Sequence, residues 1–324
     1  MESFEGRIAV VTGGGTGMGR ELVRQLATQG CHVAMCDVDA EAMAETAALC
    51  AEASPGSRIT SFVADVSDEA QVIAFRDATA RDQRTEHVNL LFNNAGVGGG
   101  GSMVVDDRAE WDRTFGICWG GVYHGTRAFL PMLLRADEGH VVNTSSVNGF
   151  WACLGPGTAH TAYSAAKFAV KGFTEALTVD FRLNAPHLRA SVVMPGHVGT
   201  SIALNSQKLH GRNPKELTEE QVTEARERLQ RAGVPVDGAS DEDIRQGLQA
   251  QAESFRDNAP LSAAGAATII LDGVRTGEWR ILVGEDAVLL DQMVRAAPGD
   301  AYELDFMERL TSSGALQFTS REAP

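Results

Sequence analysis

The chain has 324 residues, of which 44% are hydrophobic and 22% are charged, so it can bury the core of one large domain or two small ones. Its net charge of −15 and the lack of a basic stripe exclude nucleic acid as an expected partner. The acidic N-terminus enters strand-like sequence at once, and no apolar run is long enough to span a bilayer. We therefore expect a cytoplasmic protein without a membrane partner.

The cysteines and histidines lack the spacing of metal ligands. Five cysteines are an odd number, and the eight histidines are scattered, without a His-Glu-x-x-His pattern. We interpret the cysteines as reduced thiols and expect no metal site.

Strand and helix patterns alternate over most of the chain. Apolar, β-branched runs predict strands at residues 7–12, 32–37, 58–65, 88–94, 140–146, 189–195 and 279–284. Amphipathic stretches predict helices at residues 17–29, 40–53, 68–82, 108–135, 162–183 and 263–275. This alternation predicts an α/β fold of the Rossmann type, a doubly wound parallel sheet of about seven strands with helices on both faces.

The alternation is interrupted by residues 201–258, which are helical and amphipathic in pieces. This insertion leaves the carboxyl end of a predicted strand, where open α/β sheets bind ligands, so we favour a lid over a packed surface insertion without a catalytic role. We predict a single domain over residues 1–290 that includes this lid. A C-terminal helical extension, residues 291–324, follows, and its helix could pack on its own subunit or on a partner.

The segment TGGGTGMG lies between the first predicted strand and the first predicted helix. Glycines in this context let backbone amides and the helix N-terminus face a pyrophosphate. Asp37 ends the second strand, where an acidic group can accept hydrogen bonds from a ribose diol and would repel a 2′-phosphate. Asp39 adds negative charge, and no Lys or Arg adjoins Asp37 in sequence, so NAD is expected rather than NADP.

Two further segments carry chemical signals. The fourth strand ends in NNAGVGGGGS, and its four consecutive glycines, residues 98–101, predict a mobile loop. Tyr163 and Lys167 are four residues apart on a predicted helix, so both side chains emerge on one face. A positive charge near a phenol favours its ionised form, which suits Tyr163 to proton transfer.

Together these segments resemble the short-chain dehydrogenase/reductase family. The motifs TGGGTGMG, NNAG, Ser145-Ser146, YSAAK and PGHVGT occur in the family's order, over about residues 5–200 and more weakly over 260–285. The resemblance implies that Tyr163 is the general acid/base, that Lys167 lowers the pKa of Tyr163 and binds the nicotinamide ribose, and that Ser146 hydrogen-bonds the substrate oxygen. The implied cofactor contacts are Gly13, Gly15, Thr16, Gly17, Met18, Asp37, Asp65, Val66, Asn93, Ala95, Gly96, Tyr163, Lys167, Pro195, Val198 and Thr200.

The chain departs from the family at three places. Cys118 occupies the position of an asparagine that supports a proton relay, and we consider Asn148 or His197 as its substitute. The loop between Ser146 and Tyr163 is longer than usual and carries Phe150 and Trp151, which either line an apolar substrate pocket, together with Asn148 and His197, or only pack beneath the loop. The lid insertion and the tail are also longer than a minimal member needs.

The sequence therefore predicts an NAD-dependent oxidoreductase that interconverts a secondary alcohol and a ketone on a hydrophobic or aromatic substrate. The alternatives are an NADPH-dependent carbonyl reductase and, in another class, a non-catalytic NAD-binding redox sensor. The resemblance also implies a homodimer or homotetramer.

Overall fold

A computed structural model describes residues 1–153, 159–231 and 233–313. Its main feature is a seven-stranded sheet with the strand order β3-β2-β1-β4-β5-β6-β9, in which every neighbouring pair is parallel. The strands are β1 (Ile8–Thr12), β2 (His32–Asp37), β3 (Ile59–Val63), β4 (Leu90–Asn93), β5 (Gly139–Thr144), β6 (Leu188–Pro195) and β9 (Arg280–Val283). The predicted doubly wound parallel sheet is confirmed.

Helices cover both faces of the sheet, because the strand side chains alternate between two cores. Ala9 and Val11 of β1 belong to one core, and Ile8 and Val10 belong to the other. The first core is covered by α1 (Gly17–Thr28), α2 (Ala40–Ala53) and α10 (Ala263–Thr276). The second is covered by α3 (Glu69–Asp82), α5 (Gly121–Leu133) and α6 (Thr161–Asn184).

The structure is helical from Arg108 to Leu133, close to the predicted range of residues 108–135, but this segment is not a regular α-helix throughout. It consists of α4 (Arg108–Phe115), a π-helical turn (Gly116–Gly120) and α5. The π-helical turn accommodates an extra residue and carries Cys118 towards the loop after β4.

The insertion forms three helices, α7 (Ile202–Leu209), α8 (Glu219–Arg231) and α9 (Asp241–Asp257), with a 3-10 turn at Pro214–Glu216. The helices α8 and α9 share a small core that includes Val222 and Ile244, and a pair of short strands closes the base of the insertion. These strands are β7 (Val198–Gly199) and β8 (Leu261–Ser262). The insertion is therefore an ordered unit anchored at both ends.

The tail forms α11 (Glu285–Ala296) and α12 (Leu304–Ser313) and packs on its own chain. The domain boundary predicted after residue 290 falls inside α11, which runs through that position without a break. Ala287 and Leu290 of this helix share a core with Trp151 and Phe306. The remainder of the predicted extension, residues 314–324, lies outside the described residues. None of the helices described for this chain combines the length and apolar character needed to cross a membrane.

Candidate active site

Two hollows adjoin at the carboxyl ends of the strands. The first, called the cleft, has a volume of about 700 Å³ and is lined by the glycine turn, Asp37, Asp65 and the loop after β4. The second, called the cavity, has a volume of about 490 Å³ and is lined by Ser146, Tyr163 and the lid insertion. Ile202 of α7 lines both, so the first helix of the insertion forms a common wall between them.

The glycine turn has the geometry of a dinucleotide cradle. Gly17 begins α1 with a φ of 53°, a conformation that favours glycine, and its Cα faces Thr200. A Cβ at Gly19 would overlap the carbonyl oxygen of Gly13, so the helix can approach the strand only without a side chain there. The N-terminus of α1 therefore opens on the cleft, where its free amides can face a phosphate group.

Asp37 lines the cleft beside the glycine turn. Its Oδ2 accepts from the backbone N–H of Gly15 at 3.0 Å, and its Oδ1 accepts from that of Asp39 at 3.2 Å. These contacts fix the carboxylate at the rim of the cleft, which Asp39 and Glu41 also line. Lys208 of α7 is a cation in the same lining.

Most of the predicted cofactor contacts line the cleft. They are Gly13, Thr16, Gly17, Met18, Asp37, Asp65, Val66, Ala95, Gly96 and Thr200. The others are close by with different partners. Asn93 is buried and donates to the Oδ1 of Asn143 at 2.8 Å and to the hydroxyl of Thr126, so it joins strands and helix inside the fold. Pro195 and Val198 are buried, and Gly15 lies beneath Asp37.

Ser146, Tyr163 and Lys167 come together where the hollows meet. Ser146 and Tyr163 both line the cavity, and the Ser146 hydroxyl is near enough to the Tyr163 phenol to lower its pKa. Lys167 is fully buried; its Nζ lies 5.3 Å from the centre of the Tyr163 ring and donates to the carbonyl of Thr144 at 2.9 Å. On the other side, Lys167 Nζ adjoins Gly96 of the cleft. The trio therefore connects the two hollows.

Burial dominates the electrostatics of this trio. It raises the pKa of Tyr163, and Cys118 raises it further, whereas the hydrogen bond with Ser146 acts in the opposite direction. Burial also lowers the pKa of Lys167. The expected lowering of the Tyr163 pKa is therefore not observed in this structure, and the phenol is protonated at neutral pH.

The glycine loop, residues 98–101, is held on three sides rather than free. The N–H of Gly98 donates to the hydroxyl of Ser206 at 2.8 Å, and the Nε2 of His210 donates to the carbonyl of Gly98 at 2.9 Å. Gly100 donates to the Oε1 of Glu110 and accepts from the N–H of Ala162, each at 2.9 Å. Side chains distant in sequence thus bind the backbone of Gly98 and Gly100, and the mobility of the loop stays a prediction.

Cys118 connects the π-helical turn to the loop after β4. Its fully buried Sγ donates to the carbonyl oxygen of Val97 at 3.2 Å and accepts from the N–H of the same residue at 3.5 Å. Val97 lines the cleft, so the thiol fixes part of its wall.

Of the four predicted substrate-lining residues, Asn148 and His197 line the cavity. The side-chain amide of Asn148 donates to the carbonyls of Trp151 and Cys153, and the Nε2 of His197 donates to the carbonyl of Phe255 at 2.7 Å. The proposed substitution of either for the relay asparagine stays a prediction.

The expectation that Phe150 and Trp151 line the substrate pocket is not supported. Both side chains pack in the apolar core of the tail, and neither is among the described residues that line the cavity. Trp151 is fully buried there, and Phe150 stacks under the guanidinium of Arg280. The tail provides an apolar partner that the local sequence does not reveal.

Sequence reasoning missed several residues of the site. The cleft is also lined by Asn94, Ile117, Asn205, Lys208 and Leu209, and the cavity also by Glu110, His160, Arg212, Gln221, Glu224, Arg228, Leu248, Gln251 and Phe255. One feature of the sequence pointed to the polar residues after position 200. They belong to an insertion that leaves the carboxyl end of a strand, where open α/β sheets bind ligands. Across the ranges described, no group of three His, Cys, Asp or Glu side chains is placed to hold a metal ion.

Comparisons with known proteins agree with this geometry. A family profile described as short chain dehydrogenase matches residues 7–210. The chain belongs to the short-chain dehydrogenase/reductase family. It is therefore an oxidoreductase by family, and its seven-stranded parallel sheet matches the fold of short-chain dehydrogenase/reductase structures, with extra helical regions.

Two family members illustrate how far the similarity extends. SadH of Mycobacterium tuberculosis, which is named as an oxidoreductase, is 33% identical over 319 residues, 98% of each chain. Levodione reductase of Leifsonia aquatica is 35% identical over 219 residues, 67% of this chain and 79% of the relative. A crystal structure of a short-chain dehydrogenase/reductase from Burkholderia phymatum in complex with NAD has a TM-score of 0.73 at 31% identity, covering 93% of this chain and 95% of that one.

Proposed function

We propose that this protein is an NAD-dependent dehydrogenase that interconverts a secondary alcohol and a ketone on a largely apolar substrate. The observation that carries the proposal is the position of Ser146, Tyr163 and Lys167 between the cleft beside the glycine turn and the cavity beneath the insertion. A cofactor in the cleft and a substrate in the cavity would therefore come into contact beside these three residues.

The residues of the cleft fit a dinucleotide. The glycine turn and the N-terminus of α1 would bind the pyrophosphate, and Asp37 would accept from the adenosine ribose hydroxyls. Gly96 and Lys167 would bind the nicotinamide end, where the amine can donate to ribose hydroxyls. A bound nicotinamide would supply or accept the hydride.

The protein side of the reaction is a proton transfer. In the reduction direction, the protonated phenol of Tyr163 donates to the carbonyl oxygen as negative charge develops there. Ser146 donates a second hydrogen bond to that oxygen. In oxidation, the Tyr163 phenol would first release its proton to solvent, and the phenolate, stabilised by the nearby Lys167 ammonium, would then accept the alcohol proton.

Charge favours NAD over NADP. Three carboxylates, those of Asp37, Asp39 and Glu41, line the part of the cleft near the predicted adenosine ribose, and a 2′-phosphate there would be repelled. Arg20, the first arginine of α1 after the glycine turn, forms an ion pair with Glu45 at 2.7 Å, so its charge is already compensated within the protein. Lys208 is the observation that favours the second candidate, an NADPH-dependent carbonyl reductase. The protein of Burkholderia phymatum was crystallised with NAD, which agrees with the first.

We also propose that the protein is cytoplasmic and assembles as a homodimer or homotetramer through α5 and α6. These helices present exposed apolar side chains to solvent, among them Tyr123, Phe168 and Leu183. Light scattering after size-exclusion chromatography would give the state, and we expect Phe168→Glu to shift it towards the monomer.

The proposed activity can be tested by a screen of secondary alcohols and ketones with NAD(H) and NADP(H) in parallel, followed by the absorbance of the reduced cofactor. We expect turnover of apolar alcohols with NAD that exceeds the NADP rate. No turnover with either cofactor would favour the non-catalytic NAD-binding sensor.

A further inference from the structure

The cavity has two chemically different regions. Around Tyr163 its walls come from the sheet domain, and the insertion adds apolar side chains, among them Leu217, Leu248 and Phe255. The remaining insertion side chains of the lining are polar or charged. This second region, called the charged rim, comprises Arg212, Gln221, Glu224, Arg228 and Gln251 of the insertion together with Glu110 of α4.

The charged rim includes the exposed side of the cavity. Arg228 and Glu224 are exposed on α8, whereas Ser146 is buried. A ligand that touches both Tyr163 and Arg228 would therefore extend from the buried end of the cavity to its solvent side, and Leu217, Leu248 and Phe255 of the same lining would be available to its apolar part.

The two arginines of the rim differ in their partners. Arg212 forms an ion pair with Glu110, whose other oxygen accepts from the N–H of Gly100. Arg228 follows Glu224 by one helical turn, yet among the described residues no carboxylate lies within ion-pair distance of its guanidinium. Arg228 therefore offers its donors to a ligand, and the amides of Gln221 and Gln251 lie in the same lining.

We propose that the substrate carries a carboxylate remote from the reacting carbon, separated from it by a hydrocarbon chain or ring, and that Arg228 binds this carboxylate. The substrate class is then a keto acid or hydroxy acid whose oxygen is several carbons from the acid group. This inference rests on the proposed dehydrogenase function and adds the chemistry of the far end of the substrate. Glu224 weakens the attraction, because its charge adjoins that of Arg228.

A matched set of substrates tests the proposal. With NADH as the reductant, we would compare 9-oxodecanoate, its methyl ester and 2-decanone, and also shorter and longer keto acids, each with its ester. The reacting methyl ketone is the same in all, and only the acid retains a remote charge. We expect kcat/KM for the best keto acid to exceed that of its ester by about tenfold or more, and the difference to shrink at high salt.

Variants assign the effect to a residue. Arg228→Gln should raise KM for the keto acid about tenfold without changing kcat for the acid. The KM of the methyl ester should stay the same. Glu224→Gln should lower KM for the acid. Arg231→Gln is the matched control, because Arg231 is on the same helix near Glu227 and is not among the described residues of the lining.

Equal kcat/KM values for acid and ester at every chain length, or an Arg228→Gln enzyme that retains the preference for the acid, would overturn the inference. Turnover of 2-decanone without any preference for acids would leave the dehydrogenase function standing. An enzyme that turns over no ketone or alcohol with either cofactor would overturn both.

Discussion

Trp151 donates its indole N–H to the carbonyl oxygen of Ala301 at 2.7 Å, and this bond links the loop after Ser146 to the C-terminal tail. Trp151 also packs against Phe306 of α12, and Val147 lies in the same core. The carbonyl of Trp151 accepts from Asn148, whose N–H donates to the hydroxyl of Ser146 at 3.1 Å. The tail thus supports the loop that carries the serine of the active site.

We expect Trp151→Phe to lower the free energy of unfolding by about 1–3 kcal/mol, because the Ala301 carbonyl loses its donor and the smaller ring leaves space. Urea unfolding measures this loss. Tyr302→Phe is the control: its exposed hydroxyl accepts from the N–H of Ala152, so its removal should cost less than about 1 kcal/mol. Equal losses in the two variants would show that the buried bond does not support the loop.

Cys118→Ala should weaken NAD binding about threefold to tenfold, because Val97 in the cleft wall loses both hydrogen bonds to the thiol. Cys118→Ser retains a donor and an acceptor and should stay closer to the wild type. Fluorescence titration with NADH gives the two dissociation constants. A Cys118→Ala enzyme with wild-type affinity would mean that other contacts fix Val97.

Acid should destabilise the fold through His140. Burial lowers the pKa of His140 from 6.5 to about 3, so below pH 6.5 the unfolded chain takes up a proton that the folded chain does not. The contribution of this group to stability is intact above pH 6.5 and falls as the pH drops towards 3. Between pH 7 and 5 the loss is about 2 kcal/mol.

His140→Gln should remove this part of the pH dependence, while the carboxylates contribute equally to both proteins. The measurement is urea unfolding of both proteins at the two pH values. Parallel losses in wild type and variant would contradict the assignment to His140.

Asp37→Ser should lower kcat/KM for NAD about tenfold or more and raise it for NADP, because it removes the proposed ribose acceptor and a charge that would repel a 2′-phosphate. Asp39→Asn is a suitable comparison. It removes a neighbouring charge but keeps an oxygen that can accept from the N–H groups of Glu41 and Ala42. If the ratio of kcat/KM for NAD to kcat/KM for NADP were the same in Asp37→Ser as in the wild type, this would argue against the ribose contact.

The sheet and its helices could be predicted because their signals are local. The apolar run before the glycine turn and the amphipathic stretch after it determine β1 and α1, and the observed bounds differ by a residue or so. A threonine followed three residues later by glutamine is a local signal for a helix N-terminus, and Thr218 and Gln221 form this capping pair before α8, with reciprocal bonds of 3.0 and 3.2 Å.

Features that depend on distant partners could not be predicted. The glycine loop would be free as an isolated segment, but Ser206, His210 and Glu110 bind its backbone. Trp151, five residues after Ser146, was open to interpretation as a pocket residue because its partner Ala301 lies 150 positions later in the chain. Likewise, helical periodicity does not distinguish a π-helical turn from the α-helix around it.

The most direct measurement of the central proposal is a comparison of the wild type with Tyr163→Phe, using single-turnover kinetics and NADH binding on the same preparations. The variant loses only the hydroxyl that we propose exchanges the proton, so we expect turnover to fall by at least about a hundredfold while the NADH dissociation constant stays within about threefold. A Tyr163→Phe enzyme that retains wild-type turnover would contradict the account.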